Sequence, residues 1–155
     1  MTTTETADLR LAALDADDLD VISAHMQDAV VTPSDMVFRR KSAAFIAMAN
    51  RYDWDSEVRE GAHRRRRTAL HFDRVVSVRA RGIPQGSGNE VLNLLAIRFL
   101  PGGDEPAGTI ELVFSGKAAI RLQVECIEVR LKDMGPVWAT QHRPDHEASP
   151  ANPAD

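Results

Sequence analysis

One cysteine, Cys126, is all the sequence carries, so no disulfide can form within the chain. The opening Met-Thr-Thr-Thr-Glu-Thr lacks the basic and apolar halves of a secretory signal, and a reducing cytoplasm is the expected compartment. Long hydrophobic runs are missing too: Asn93 and Arg98 interrupt the segment from Val91 to Leu100, which argues against any membrane span. Net positive charge is absent, the formal balance being -4, so a protein that coats nucleic acid is not expected. Aromatic residues make up only 5%, and the arginine-rich stretch contains none, so the interleaved stacking platform of single-strand binders is not present.

What remains is enough for one ordinary domain. A chain of 155 residues that is 43% hydrophobic can bury a core without metal or disulfide staples. Residues 9–142 are expected to form that single globular domain. Residues 1–8 are expected to be disordered, as is the tail 143–155, which has three prolines and no large apolar side chain to offset the entropy of ordering.

Charge is unevenly placed. Residues 1–30 hold seven acids against Arg10, and residues 59–81 hold eight arginines against Glu60 and Asp73. Such segments can attract each other across the fold or between two copies, although exposed charges beyond about 8 Å are largely screened in physiological salt.

Hydrophobic spacing predicts a mainly antiparallel α+β protein. Asp15 followed by Asp17, Asp18 and Asp20 marks a helix start, and Leu19, Ile22, Met26 and Ala29 give an amphipathic helix from Ala16 to Asp28 its stripe. About seven short strands follow: Ala29 to Thr32, Met36 to Arg40, Ala43 to Tyr52, Ala69 to Arg81 with a bend near Asp73-Arg74, Val91 to Leu100, Thr109 to Phe114 and Ala118 to Val124. Alternation places Leu70, Phe72, Val76, Val78 and Ala80 on one face, whereas Val91 to Leu100 alternates poorly and is expected to be covered on both sides. Beyond Val124 the spacing of Ile127, Leu131 and Met134, with early acids, late bases and a following Gly135-Pro136, predicts a capping helix over 125–134; a continued strand through Val129 is the competitor. The expected architecture is a pleckstrin-homology-like barrel or a curved sheet, with a helix in front and a helix closing it.

The most conspicuous chemical feature is His63-Arg64-Arg65-Arg66-Arg67, expected in a loop. Guanidinium groups there suit bidentate bonds to phosphate or carboxylate. The competing reading is a solvated strand edge or an ion-pair partner for the acidic first helix. Arg51, Tyr52 and Trp54 lie close before it, and together with Arg64, Arg65, Arg66 and Arg67 they form the candidate binding surface. A catalytic set is not legible. His71 and Asp73 can pair as a base and its orienting acid, but Ser77 is too far along the strand to act as their nucleophile and no Gly-x-Ser-x-Gly elbow occurs. His142, Asp145 and His146 have a ligand-like spacing that Pro144 spoils, and Cys126 has acidic neighbours unsuited to a reactive thiol. The glycine-rich stretches 82–88 and 102–103 precede strands, so they read as turns and not phosphate loops. No metal or cofactor is implied.

Three segments carry a family likeness. The opening Leu-Arg-Leu-Ala-Ala-Leu-Asp-Ala-Asp-Asp-Leu-Asp-Val-Ile, the central Ala-Asn-Arg-Tyr-Asp-Trp, and the late Val-Glu-Cys-Ile-Glu-Val-Arg-Leu-Lys-Asp-Met-Gly-Pro-Val-Trp-Ala-Thr resemble an uncharacterised bacterial family, domain of unknown function 2948, over residues 9–146. The resemblance implies a single-domain bacterial protein and no activity. The function expected from the residues is a non-catalytic cytoplasmic binding or scaffolding module whose partner is another protein or an anionic small ligand. The alternative is a small enzyme drawing on Asn50, Arg51, Asp53, His71 and His142, and a homodimer through a strand edge or opposite charge patches is a third reading.

Overall fold

A computed structural model describes residues 8–84, 90–140 and 144. The chain enters as β1 (Arg10–Ala13) and turns into α1 (Ala16–His25), where Asp15 caps the helix by accepting a 2.8 Å bond from the Asp18 amide. Leu19, Ile22 and Met26 are fully buried, as their spacing predicts. Then come β2 (Ala29–Val31), β3 (Met36–Arg39), β4 (Ala44–Tyr52) and a short helix, α2 (Trp54–Glu60). The second half is all strand: β5 (Arg64–Phe72), β6 (Val75–Arg81), β7 (Leu92–Pro101), β8 (Gly108–Phe114), β9 (Ala119–Val124) and β10 (Val129–Ala139).

These make one ten-stranded sheet, ordered β1-β10-β5-β4-β2-β7-β8-β9-β6, with β3 hydrogen-bonded to β4. Every pairing is antiparallel. The antiparallel α+β class therefore holds, but the count of seven strands falls short and the sheet does not close into a barrel, since β1 and β6 end it. It does curl. The Val75 amide at the start of β6 donates a 2.9 Å bond to the Ala43 carbonyl beside β4, groups that a flat sheet would hold about 24 Å apart.

Residues 125–134 are not a capping helix. Val129, Leu131 and Asp133 point inward at strand spacing, while Met134, the third member of the helical stripe, is 41% exposed. The reason is partnership: β10 lies between β1 and β5, which supply ladder bonds on both sides. The poor alternation of Val91 to Leu100 also has another cause. A bulge between Leu94 and Ala96 shifts the phase, so that Leu92 and Leu94 face the core before it and Ile97 after it, while Asn93, Leu95 and Arg98 face out. The long Ala69-to-Arg81 segment breaks at Asp73-Arg74, where Arg74 has φ 61°. Past the break, Val78 packs against the core, but Val76 and Ala80 are exposed on this last strand. The expected hairpin over Arg40-Lys41-Ser42 joins β3 to β4.

Candidate functional site

The inner face of β4, β5 and β10 changes character along its length. Cross-strand neighbours begin as Phe45, Phe72 and Val129, continue as Ala47, Leu70 and Leu131, and then turn polar with Ala49, Thr68 and Asp133. The final row places Arg51 opposite Arg66, both almost completely buried. Two guanidinium groups side by side in a core require counter-charge, because a buried unpaired ion is worth several kcal/mol of penalty.

Two carboxylates supply it. Asp133 takes Arg51 in a fork, Nε to Oδ1 at 2.9 Å and Nη2 to Oδ2 at 2.8 Å, and also accepts from the Thr68 hydroxyl at 2.7 Å and the Leu9 amide at 2.8 Å. Asp53 accepts from Arg66 Nε at 2.7 Å while its carboxylate caps α2 through the Ser56 amide and hydroxyl. Arg66 also reaches Asp8 at 3.2 Å. Burial alone would raise the pKa of both aspartates. The bonds from Arg66 and Ser56 to Asp53, and from Arg51, Leu9 and Thr68 to Asp133, outweigh it and hold both below the ordinary carboxylate value.

The opposite face of the same strands carries Tyr52, Arg65 and Arg67, with Trp54 of α2 beside them. Tyr52 is fully buried, with its ring edge-on to Trp54 at 4.6 Å between centroids and the Arg65 guanidinium above it at 5.7 Å. Its hydroxyl donates to Glu57 at 2.6 Å, and His63 Nδ1 lies 2.5 Å from the same oxygen. That arrangement can share a proton among Glu57, Tyr52 and His63. Trp54 Nε1 donates to the Gln27 carbonyl, and Arg65 to the carbonyls of Asp28 and Asn50. Arg67 meets Asn50 and Asp35, and Arg64 pairs with Glu60.

Six of the seven expected residues thus gather on two adjoining strands, β4 and β5, and the seventh, Trp54, opens α2 beside them; the arginines do not form a loop. Arg64 to Arg67 open β5, an interior strand between β10 and β4, so the solvated-edge reading fails as well. Nor, among the described residues, do the acids of α1 pair with them; their acidic partners include Asp8, Asp35, Asp53 and Glu60, with the Asp133 carboxylate 4.0 Å from Arg66. His71 and Asp73 do pair, at 3.0 Å, and Arg130 takes the second Asp73 oxygen at 3.2 Å. Cys126 is half-buried between β9 and β10. His142, Asp145 and His146 lie outside the described residues, as do most of the proposed tails; among the described residues no cluster of metal-ligating side chains occurs, and no helix is long and apolar enough to cross a membrane.

A second polar surface was not legible in the sequence. On the outer face of the other half of the sheet, Arg98 of β7, Glu111 of β8, Arg121 of β9 and Arg79 of β6 stand in one cross-strand row. Glu111 is buried and shared, 3.6 Å from Arg98 and 3.1 Å from Arg121. The neighbouring row is Ala96, Val113, Ala119 and Arg81. With Lys117 from the β8–β9 turn, Arg81, Arg98 and Glu111 line a shallow depression of about 510 Å³, whose apolar lining is Val113, Phe114, Ala118 and Ala119. Five cations thus surround one acid. The signal that could have revealed it is the period-two placement of Arg79 and Arg81 followed by Glu111 and Arg121 on the outward phase of later strands.

Comparison with curated proteins and with solved structures gives no match. Over residues 9–146 the sequence matches the family described as "Protein of unknown function (DUF2948)", and the chain belongs to that family.

Proposed function

We propose that the protein is a non-catalytic binding module for an anionic partner, and that the partner is engaged by the outer face of β7, β8, β9 and β6. The observation that carries this reading is the charge arrangement there: Arg79, Arg81, Arg98, Lys117 and Arg121 around the single buried acid Glu111, in a chain whose net charge is -4. A positive face on a negative protein focuses anions locally in spite of the overall balance. Glu111 fixes two of the guanidinium groups in place, so less side-chain entropy is lost when a ligand binds. By contrast, the buried members of the arginine stretch, Arg65 and Arg66, are held by carbonyls and carboxylates of the fold itself, which supports a structural role for them.

The test is retention on an anionic matrix at low salt. The parent protein is retained despite its net charge, the Arg79→Glu/Arg81→Glu/Lys117→Glu variant elutes in the void, and an Arg64→Ala/Arg67→Ala variant behaves as the parent. Loss of retention only in the last variant would transfer the site to β5. The enzyme alternative rests on the contact of Tyr52 with Glu57 and His63. Asn50, Arg51 and Asp53 of its residue pool are tied into structural bonds.

A further inference from the structure

The row that runs Arg98, Glu111, Arg121, Arg79 alternates in sign until its last step, where Arg121 and Arg79 stand directly opposite each other. Like charges in such a pair destabilise an antiparallel ladder. Glu111 sits on the far side of Arg121 and leaves Arg79 without counter-charge: among the described residues neither Arg79 nor Arg81 makes an ion pair. Both project from β6, which pairs only with β9 and ends the sheet. From Val76 to Arg81 this strand is exposed apart from the half-buried Val78, and among the described residues no backbone bond from these positions runs to the edge turned away from β9.

We propose that the free edge of β6 accepts an extended acidic peptide segment of a partner protein as one further strand, its acids falling beside Arg79 and Arg81. This deepens the anionic-partner reading and rests on it. Arg79 and Arg81 are two residues apart on one face, about 6.8 Å, which is the spacing of acids at alternate positions of a neighbouring strand. Main-chain bonds along β6 give the affinity, and the two arginines select sequences with acid at every second position. An added acid opposite Arg79 also supplies the counter-charge that the row leaves that arginine without. Arginines on an edge equally deter pairing with another basic edge, so a purely protective role is the outcome to be distinguished.

The experiment is fluorescence anisotropy with a labelled peptide alternating glutamate and valine. Two isomers accompany it, one N-methylated at every glutamate and one at every valine, along with an inorganic polyphosphate and a single-stranded RNA oligonucleotide. In a strand bound by one edge only one set of amides faces β6. One methylated isomer therefore loses at least about tenfold in affinity while the other stays within about twofold, and Arg79→Glu/Arg81→Glu abolishes binding of the parent peptide. Equal binding of both isomers, or tighter binding of polyphosphate or RNA with the same sensitivity to charge reversal, overturns strand addition and leaves the anionic surface standing. If no probe binds, or none responds to reversal at Arg79 and Arg81, both readings fall and the arginines are protective only.

Discussion

Asp133 of β10 grips Arg51 of β4 through a two-bond fork that passes over the intervening strand β5. Both side chains are essentially sealed from solvent, so the pair works as a buried cross-tie and not as a surface ion pair. Removing the carboxylate leaves the guanidinium buried and unpaired. Asp133→Ala is expected to cost about 3–5 kcal/mol in urea unfolding. The double change Arg51→Met/Asp133→Leu recovers most of that, since no stranded charge is left; a double variant as unstable as the single one would contradict this account.

The two buried aspartates also set the acid limit of the fold. Their folded pKa values lie below the ordinary value of about 3.9, so their contribution is fully present above that pH and is lost as pH falls through the lower folded values. Stability is therefore expected to drop as pH falls below about 4. In Asp133→Asn the drop is shallower, because one of the two linked groups is gone. Thermal midpoints measured against pH for the two proteins check this.

Gly108 at the start of β8 lies under Phe99. A Cβ there would sit 2.5 Å from Phe99 Cζ and 2.7 Å from the Leu100 carbonyl oxygen, and the backbone atom cannot step aside as a side chain can. Gly108→Ala is expected to destabilise by about 1–3 kcal/mol, read from the shift of the urea midpoint at unchanged slope.

Asp15→Ala removes the acceptor for the Asp18 amide at the start of α1 and is expected to cost about 1 kcal/mol, with Asp15→Asn close to neutral. Leu19, Ile22 and Met26 still anchor the helix, so far-ultraviolet circular dichroism of the folded state remains unchanged.

Elements whose signals are local were readable from the chain. Asp15 and the stripe Leu19, Ile22, Met26 specify α1 within a dozen residues, and the alternation of Ile110, Leu112 and Phe114 specifies β8. Where a partner distant in sequence decides, local reading fails. Four successive arginines contain no apolar alternation, and partners distant in sequence, among them Asp53, Asp133 and the carbonyls of Asp28 and Asn50, accommodate them in an interior strand between β10 and β4. Ile127, Leu131 and Met134 fit a helix as well as Val129, Leu131 and Asp133 fit a strand, and the choice falls to β1 and β5 on either side. The expected binding residues do converge, bonded to groups of the fold itself. The cationic outer face escaped notice because its members come from four strands and become neighbours only through register.

In the proposed binding mode anions are met by Arg79, Arg81 and their neighbours, while Arg65 and Arg66 serve the interior. Amide chemical-shift mapping during titration with the alternating glutamate–valine peptide tests it most directly. The shifts are expected to concentrate on β6 and β9, with β5 silent; shifts centred on Arg64 to Arg67 would contradict that binding mode.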